Sequence, residues 1–165
     1  PSLIGNIPDY GKLFRMAKKH KLRLIEDSCD TLGATLYGRP TGNFSDISTT
    51  SFYASHIITA AGSGGMICVN NSLWYARAKM LAGWGRASAI NESEDAAKRF
   101  AEKVDGIPYD GKFIFKDIGY NFQTTELAAA APGSLVQRRG GPVVLPSHGC
   151  PGAAGSVVVH HFSIK

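Results

Sequence analysis

The sequence predicts an α/β fold, a mostly parallel sheet flanked by helices, and three observations point there. Tyr10, Leu13, Phe14 and Ala17 fall at i, i+3, i+4 and i+7, the apolar face of a helix, and the short run Leu22-Arg-Leu-Ile25 follows as a strand. The run Asp46 to Tyr53, DISTTSFY, is rich in β-branched and aromatic residues and reads as a buried strand. Met66 to Val69 reads as another strand and leads into a helix through Trp74, Ala78, Leu81 and Ala82.

The elements follow in order along the chain. Asn6 is the expected cap of the first helix, with Pro8 in its first turn. Lys18, Lys19, His20 and Lys21 crowd its C-terminal end, where cations suit the helix dipole. The first strand runs straight into Glu26, Asp27, Ser28, Cys29 and Asp30, which puts polar groups at its carboxyl end. Gly33 to Gly42 is a loop with a small hairpin around Tyr37-Gly-Arg-Pro40. The strand over 46–53 opens a loop that carries His56 and ends in Gly62, Gly64 and Gly65. Glycines there permit positive φ and close backbone approach.

Asn70-Asn-Ser begins the next helix, and Gly83 and Gly85 end it. Ala97, Phe100, Ala101 and Val104 share the face of a short helix expected within Ser93 to Val104. Ile118-Gly-Tyr-Asn-Phe122 is a compact motif. Thr124 or Thr125 then caps a helix expected over Glu126 to Ala131.

Bulk properties narrow the class. A chain of 165 residues fits one domain with a sizeable core. No apolar run approaches the roughly 20 residues of a membrane span, so no membrane partner is expected, and cysteine usage without a disulfide framework makes a reducing cytoplasm the expected setting. The net charge of +5 is unevenly placed: residues 1–131 hold 15 basic and 13 acidic side chains. That balance is not a nucleic-acid footprint. Three cysteines without a CxxC suggest neither a disulfide framework nor a metal site.

From Pro132 the composition changes. The last 34 residues hold six Gly, four Pro and no acid. The expected division is therefore 1–131, a folded α/β unit, and 132–165, a Gly/Pro-rich tail that is not a module. Within the tail, 156–162 is the segment expected to find a partner, by pairing with an exposed sheet edge.

Asp27 and Asp30 lie just beyond one strand, Ser51 belongs to the next, and His56 follows by five residues. If the two strands are parallel neighbours, these groups converge on one crevice at the strands' carboxyl ends. On residue type alone, Asp27 reads equally as a loop cap, Ser51 as a strand residue and Asn121 as a turn residue.

The stretches LIEDSCDTLGA, GRPTGNFSDISTTSFYASHIITAAGSGGMI and DIGYNFQTTELAAA, in this order and spacing, resemble the middle of the large domain of the DegT/DnrJ/EryC1/StrS family. These are pyridoxal-phosphate-dependent enzymes of the aspartate-aminotransferase fold that act on nucleotide sugars. The resemblance covers residues 1–131 and implies part of such a large domain.

It also implies roles. Asp27 falls where the family's acid pairs with the pyridine nitrogen and keeps the ring protonated, a better electron sink. Asp30 falls where Gln or His usually lies near the ring hydroxyl, and counts with the cofactor-binding residues. Ser51 matches a phosphate-contacting serine. Asn121 matches an asparagine that reaches the cofactor phosphate of the partner subunit, so a homodimer is expected.

His56 stands where the family's aminotransferases carry the lysine that bonds to the cofactor aldehyde. Imidazole cannot form that bond but moves protons near neutral pH. The exchange resembles the family's 4-keto-6-deoxysugar 3-dehydrase branch, which uses pyridoxamine phosphate and a histidine base, and EDSCD resembles that branch too. Ile57 replaces its second histidine, and Ser63 stands where an acid is common. The expected function is accordingly 3-dehydration of a nucleotide-linked keto sugar in deoxysugar or O-antigen biosynthesis. A nucleotide-sugar aminotransferase and an inactive fragment are the alternatives. The three scattered cysteines give no iron–sulfur cluster spacing.

Overall fold

The computed structural model describes residues 1–62, 64–90, 96–128, 130 and 155–157. Helix α1 spans Tyr10–Lys19 and is capped by Asp9, whose Oδ1 accepts from the Lys12 amide at 2.9 Å. The cap is thus Asp9 and not Asn6. Asn6 has extended backbone at the end of a 3-10 turn, Leu3–Gly5, and Pro8 disfavours helical geometry at the residue before it. α1 buries Tyr10 and Ala17, while Leu13 is half-buried and Phe14 stays exposed.

Strand β1 is Ile25–Asp27, displaced toward the acids from the expected 22–25. The Leu22 amide returns to the Ala17 carbonyl at 2.8 Å, and Lys21 takes φ 55°, so residues 20–22 finish the helix. β2 (Thr35–Leu36) and β3 (Arg39–Pro40) form the expected hairpin. Tyr37 and Gly38 both take positive φ, as a tight primed turn requires.

β4 (Ile47–Ser51) lies parallel to β1, with Asp27 opposite Thr49. β5 (Gly65–Val69) runs antiparallel to β4, with Ser51 opposite Gly65. The α/β class holds, and the sheet is mixed among its described strands. The reason is local: the loop between β4 and β5 carries no helix, and parallel neighbours need a crossover, usually helical.

α2 (Ser72–Ala82) is capped by Asn71, whose Oδ1 accepts from the Leu73 and Trp74 amides, and it ends at Gly83. Among the described residues, α3 is Ala96–Arg99. Val104, expected on its face, instead belongs to β6 (Lys103–Val104), which pairs with β7 (Ile107–Pro108). Asp105-Gly106 explains this: both take positive φ, and Asp-Gly is a strong hairpin turn.

The segment 114–123 docks on the end of α2 by main-chain bonds. Tyr120 N–H donates to Leu81 O at 2.7 Å, and Phe122 N–H to Ala82 O at 3.0 Å. A side chain on Gly119 would collide with the Gly85 amide and the Leu81 carbonyl, so only glycine permits this approach. Thr125 caps the turn of helix at 126–128, its hydroxyl accepting from the Ala128 amide at 3.2 Å.

Gly155–Val157 forms β8, antiparallel to β5, and gives the sheet order β1-β4-β5-β8. The rest of 132–165 lies outside the described residues, and so does the expectation that it forms no module. Phe52, Ile58, Ala60 and Met66 make the main apolar cluster, with Leu32, Cys68 and Ala128 against it.

β1 also buries an acidic side chain. Glu26, the middle residue of β1, is 1% exposed. Its Oε1 accepts from the Ser28 hydroxyl at 2.5 Å. Its Oε2 accepts from the Gly42 amide at 2.7 Å and lies 3.4 Å from the Ser45 hydroxyl. Residue 42 must be glycine, because its φ is 90° and a Cβ would sit 2.8 Å from Ser48 Oγ. One carboxylate thereby fastens β1 to the turn that feeds β4. Glu26→Ala leaves the half-buried Gly42 amide and the buried Ser28 hydroxyl without their acceptor, and we predict a loss of about 3 kcal/mol in urea unfolding. Glu26→Gln, which keeps one acceptor, is predicted to lose less.

Candidate active site

The site begins where β1 and β4 end. Their parallel register carries Asp27 and Ser51 to the same edge of the sheet, and the chain after each strand supplies Asp30 and His56. The loop bearing His56 is pinned on both sides. Phe52 N–H donates to Gly64 O at 2.8 Å, and Ala60 N–H returns to Phe52 O at 2.9 Å. Phe52 and Ile58 sink into the core. The intervening turn, closed by His56 N–H to Tyr53 O at 3.0 Å, is left at the surface with the imidazole half-buried.

Asp27 is held by Cys29, two residues on. Its Oδ1 accepts from the Cys29 amide at 3.2 Å, the turn that an aspartate side chain makes with the amide two residues on. The Cys29 thiol also donates to this carboxylate and is the main reason its pKa lies below the ordinary 3.8; His56 adds a smaller pull. The Asp27 carboxylate therefore contributes stability above its ordinary value, and that contribution fades as pH falls through the lowered one. Burial first, and then the Asp27 carboxylate, push the Cys29 thiol up to about 12.

His56 Nδ1 lies 3.3 Å from Asp30 Oδ1, and Asp30 Oδ2 accepts from the Ile4 amide at 3.0 Å. Asp30, expected at a ring hydroxyl, is thus found beside the histidine. Ser51 Oγ accepts from the Tyr53 amide at 3.1 Å, which leaves the hydroxyl proton free to be given to another acceptor.

Asp27, Asp30, Ser51 and His56 are therefore gathered at one end of the sheet. Asn121 is not part of that cluster: it is exposed, on the segment docked to α2, bridged to Gly83. Sequence reasoning passes over Cys29 and Glu26. An Asp followed two residues later by a small polar residue is the signal for the Asp27–Cys29 turn; for Glu26, whose residue type reads as exposed, no local signal exists.

An acid, a hydroxyl and an imidazole thus stand together at the strand ends of an α/β layer. The chain belongs to the DegT/DnrJ/EryC1/StrS aminotransferase family, whose model matches residues 2–136. It is 41% identical over 132 residues to a dTDP-4-dehydro-2,6-dideoxy-D-glucose 3-dehydratase of Saccharopolyspora spinosa, covering 77% of this chain and 28% of that protein. It is 34% identical over 139 residues to the lipopolysaccharide biosynthesis protein RfbH of Salmonella typhimurium, covering 82% and 32%.

Among solved structures, an E. coli GDP-4-keto-6-deoxy-D-mannose-3-dehydratase with bound hydrated PLP superposes with a TM-score of 0.67 at 20% identity. That match covers 83% of this chain and 34% of the other and shows the shared fold. The chain spans about a third of the length of these relatives. The family is pyridoxal-phosphate-dependent. Among the described residues, no helix is long and apolar enough to cross a membrane, and no group of His, Cys, Asp and Glu could hold a metal ion.

The donor set fits the cofactor. A carboxylate held ionised suits a protonated ring nitrogen, and a hydroxyl with a free proton suits a phosphate. The Asp27–Cys29 pair has its own signature. With its thiol at about 12, Cys29 is predicted to alkylate about a thousandfold more slowly at pH 8 than an unperturbed cysteine. Asp27→Asn should speed the reaction at least about tenfold, since it removes the negative charge beside the thiol. Peptide-resolved iodoacetamide kinetics would show both, and fast alkylation of the wild-type thiol would contradict the arrangement.

Proposed function

We propose that this chain carries the cofactor-facing centre of a pyridoxamine-phosphate-dependent 3-dehydrase acting on a nucleotide-linked 4-keto-6-deoxysugar. The observation that carries the reading is His56, held beside Asp30 in the cluster with Asp27, in a chain with no lysine between Lys21 and Lys79. An aminotransferase of this family needs an amine where this chain has an imidazole. The similarity to the Saccharopolyspora 3-dehydratase supports the same reading.

When bound, the cofactor supplies an amine that condenses with the 4-keto group and a ring that takes up the electron pair freed by deprotonation. The chain's own residues do the rest. The Asp27 carboxylate, kept ionised by Cys29, holds a proton on the ring nitrogen. Ser51 binds phosphate through its hydroxyl proton. His56 receives a proton at a ring nitrogen and can hand it on to the hydroxyl leaving carbon 3 as water. Asn121, exposed and apart from the cluster, is proposed to serve a phosphate across a homodimer. Residues 132–165 are proposed to add no catalytic module.

The test separates the two chemistries in one sample. With pyridoxamine phosphate and a nucleotide 4-keto-6-deoxysugar, mass spectrometry should show loss of water at carbon 3, and transfer of the amine to the sugar would refute the reading. With pyridoxal phosphate and borohydride, the wild-type chain should take no stoichiometric label. His56→Lys should gain one label, on residue 56.

A further inference from the structure

We propose that Asp30 is a positioning residue for His56, fixing the imidazole in the tautomer with the proton on Nδ1 so that Nε2 is the bare, basic nitrogen. Nδ1 and Asp30 Oδ1 are 3.3 Å apart, and an ionised carboxylate only accepts. A carboxylate this close to Nδ1 favours the proton there on a neutral imidazole, which leaves the lone pair on the opposite ring nitrogen.

Asp30 is itself held from the other side. Ile4 N–H donates to Oδ2 at 3.0 Å, and to do so Ile4 adopts φ 55° and ψ 32°. A β-branched residue in the left-handed region is a true outlier and costs on the order of 1–3 kcal/mol. Burial does not offset that strain, because the Ile4 side chain is 89% exposed. What the conformation delivers is an amide aimed at Asp30. Gly5, with φ 77°, continues the turn past the Asp30 carbonyl. The order of contacts is thus Ile4 amide, Asp30 carboxylate, His56 imidazole.

The two contacts respond differently to an amide side chain. A backbone N–H can only donate, whereas an imidazole can donate or accept at Nδ1. In Asp30→Asn the single carbonyl oxygen goes to Ile4, and the NH₂ group is turned on His56. His56 must then accept at Nδ1 and carry its proton on Nε2. The isosteric substitution that keeps the shape of the site therefore inverts the tautomer.

This deepens the dehydration reading and rests on it for its catalytic meaning. The tautomer is measured without cofactor or substrate, so the two ideas fail separately. The experiment is a long-range ¹H–¹⁵N correlation spectrum of the full 165-residue chain, histidine-labelled, near pH 8, where free imidazole is neutral. His56→Gln assigns the His56 signals among the five histidines.

The expected result is protonated Nδ1 and bare Nε2 in the wild type, with the two nitrogen shifts exchanged in Asp30→Asn. A wild-type proton on Nε2, or an unchanged tautomer in Asp30→Asn, would overturn the proposal. As a second measurement, the Ile4 amide should stay protected from exchange in Asp30→Asn and lose protection in Asp30→Ala. Protection unaffected by Asp30→Ala would count against the chain of contacts. If Asp30→Asn fails to fold, the wild-type tautomer decides alone.

Discussion

A single buried carboxylate sets the geometry on which the site depends. Glu26 is enclosed between β1 and the turn at 42–45, and each of its oxygens is met by a protein donor. A carboxyl group taken out of water is costly unless such donors surround it, and removing it leaves buried donors unpaired. The arrangement is therefore nearly all-or-none. While it holds, β1 and β4 keep one register, Asp27 stands opposite Thr49, and the strand ends open side by side. The next residue along β1, Asp27, belongs to the cluster at the strand ends, and its neighbour holds the frame.

Around that frame the site is built from short-range devices. Asp27 folds back on Cys29, Ser51 on Tyr53, and the His56 turn on itself, each within two or three residues. Contacts distant in sequence supply the orientation. Ile4 reaches Asp30 across 26 residues, and Asp30 reaches His56 across another 26. The first kind gives each side chain its local pose, and the second brings the poses into one place.

This division explains what could be read from the sequence. The α1 helix, the β4 run, the Tyr37-Gly38 turn and the helix start at Asn70-Asn71-Ser72 are local patterns of apolar spacing or turn chemistry, and the structure follows them. The Asp9 cap lay three residues from the expected Asn6 because Pro8 intervenes. The helix drawn through Val104 yielded to Asp105-Gly106, a turn signal stronger than the apolar spacing across it. The direction of β5 was not legible from its residues; it follows from a β4–β5 loop that carries no helix.

The site divides in the same way. The gathering of Asp27, Ser51 and His56 was legible, since strand ends and spacing place them together. Asp30's attachment to His56 was not, because residue type alone set no distance between them. Glu26 was hidden by its own type, and Asn121 lies where the main chain of α2 holds it.

The central claim is that the ends of β1 and β4 form one cofactor-facing centre. Backbone amide shifts of the 165-residue chain, followed as pyridoxamine phosphate is added, test it most directly. The account predicts saturable shifts that cluster at Asp27, Cys29, Ser51, His56 and Gly65, while the β6–β7 hairpin at 103–108 stays still. Shifts scattered over the surface, or centred on that hairpin with the strand ends unmoved, would contradict it.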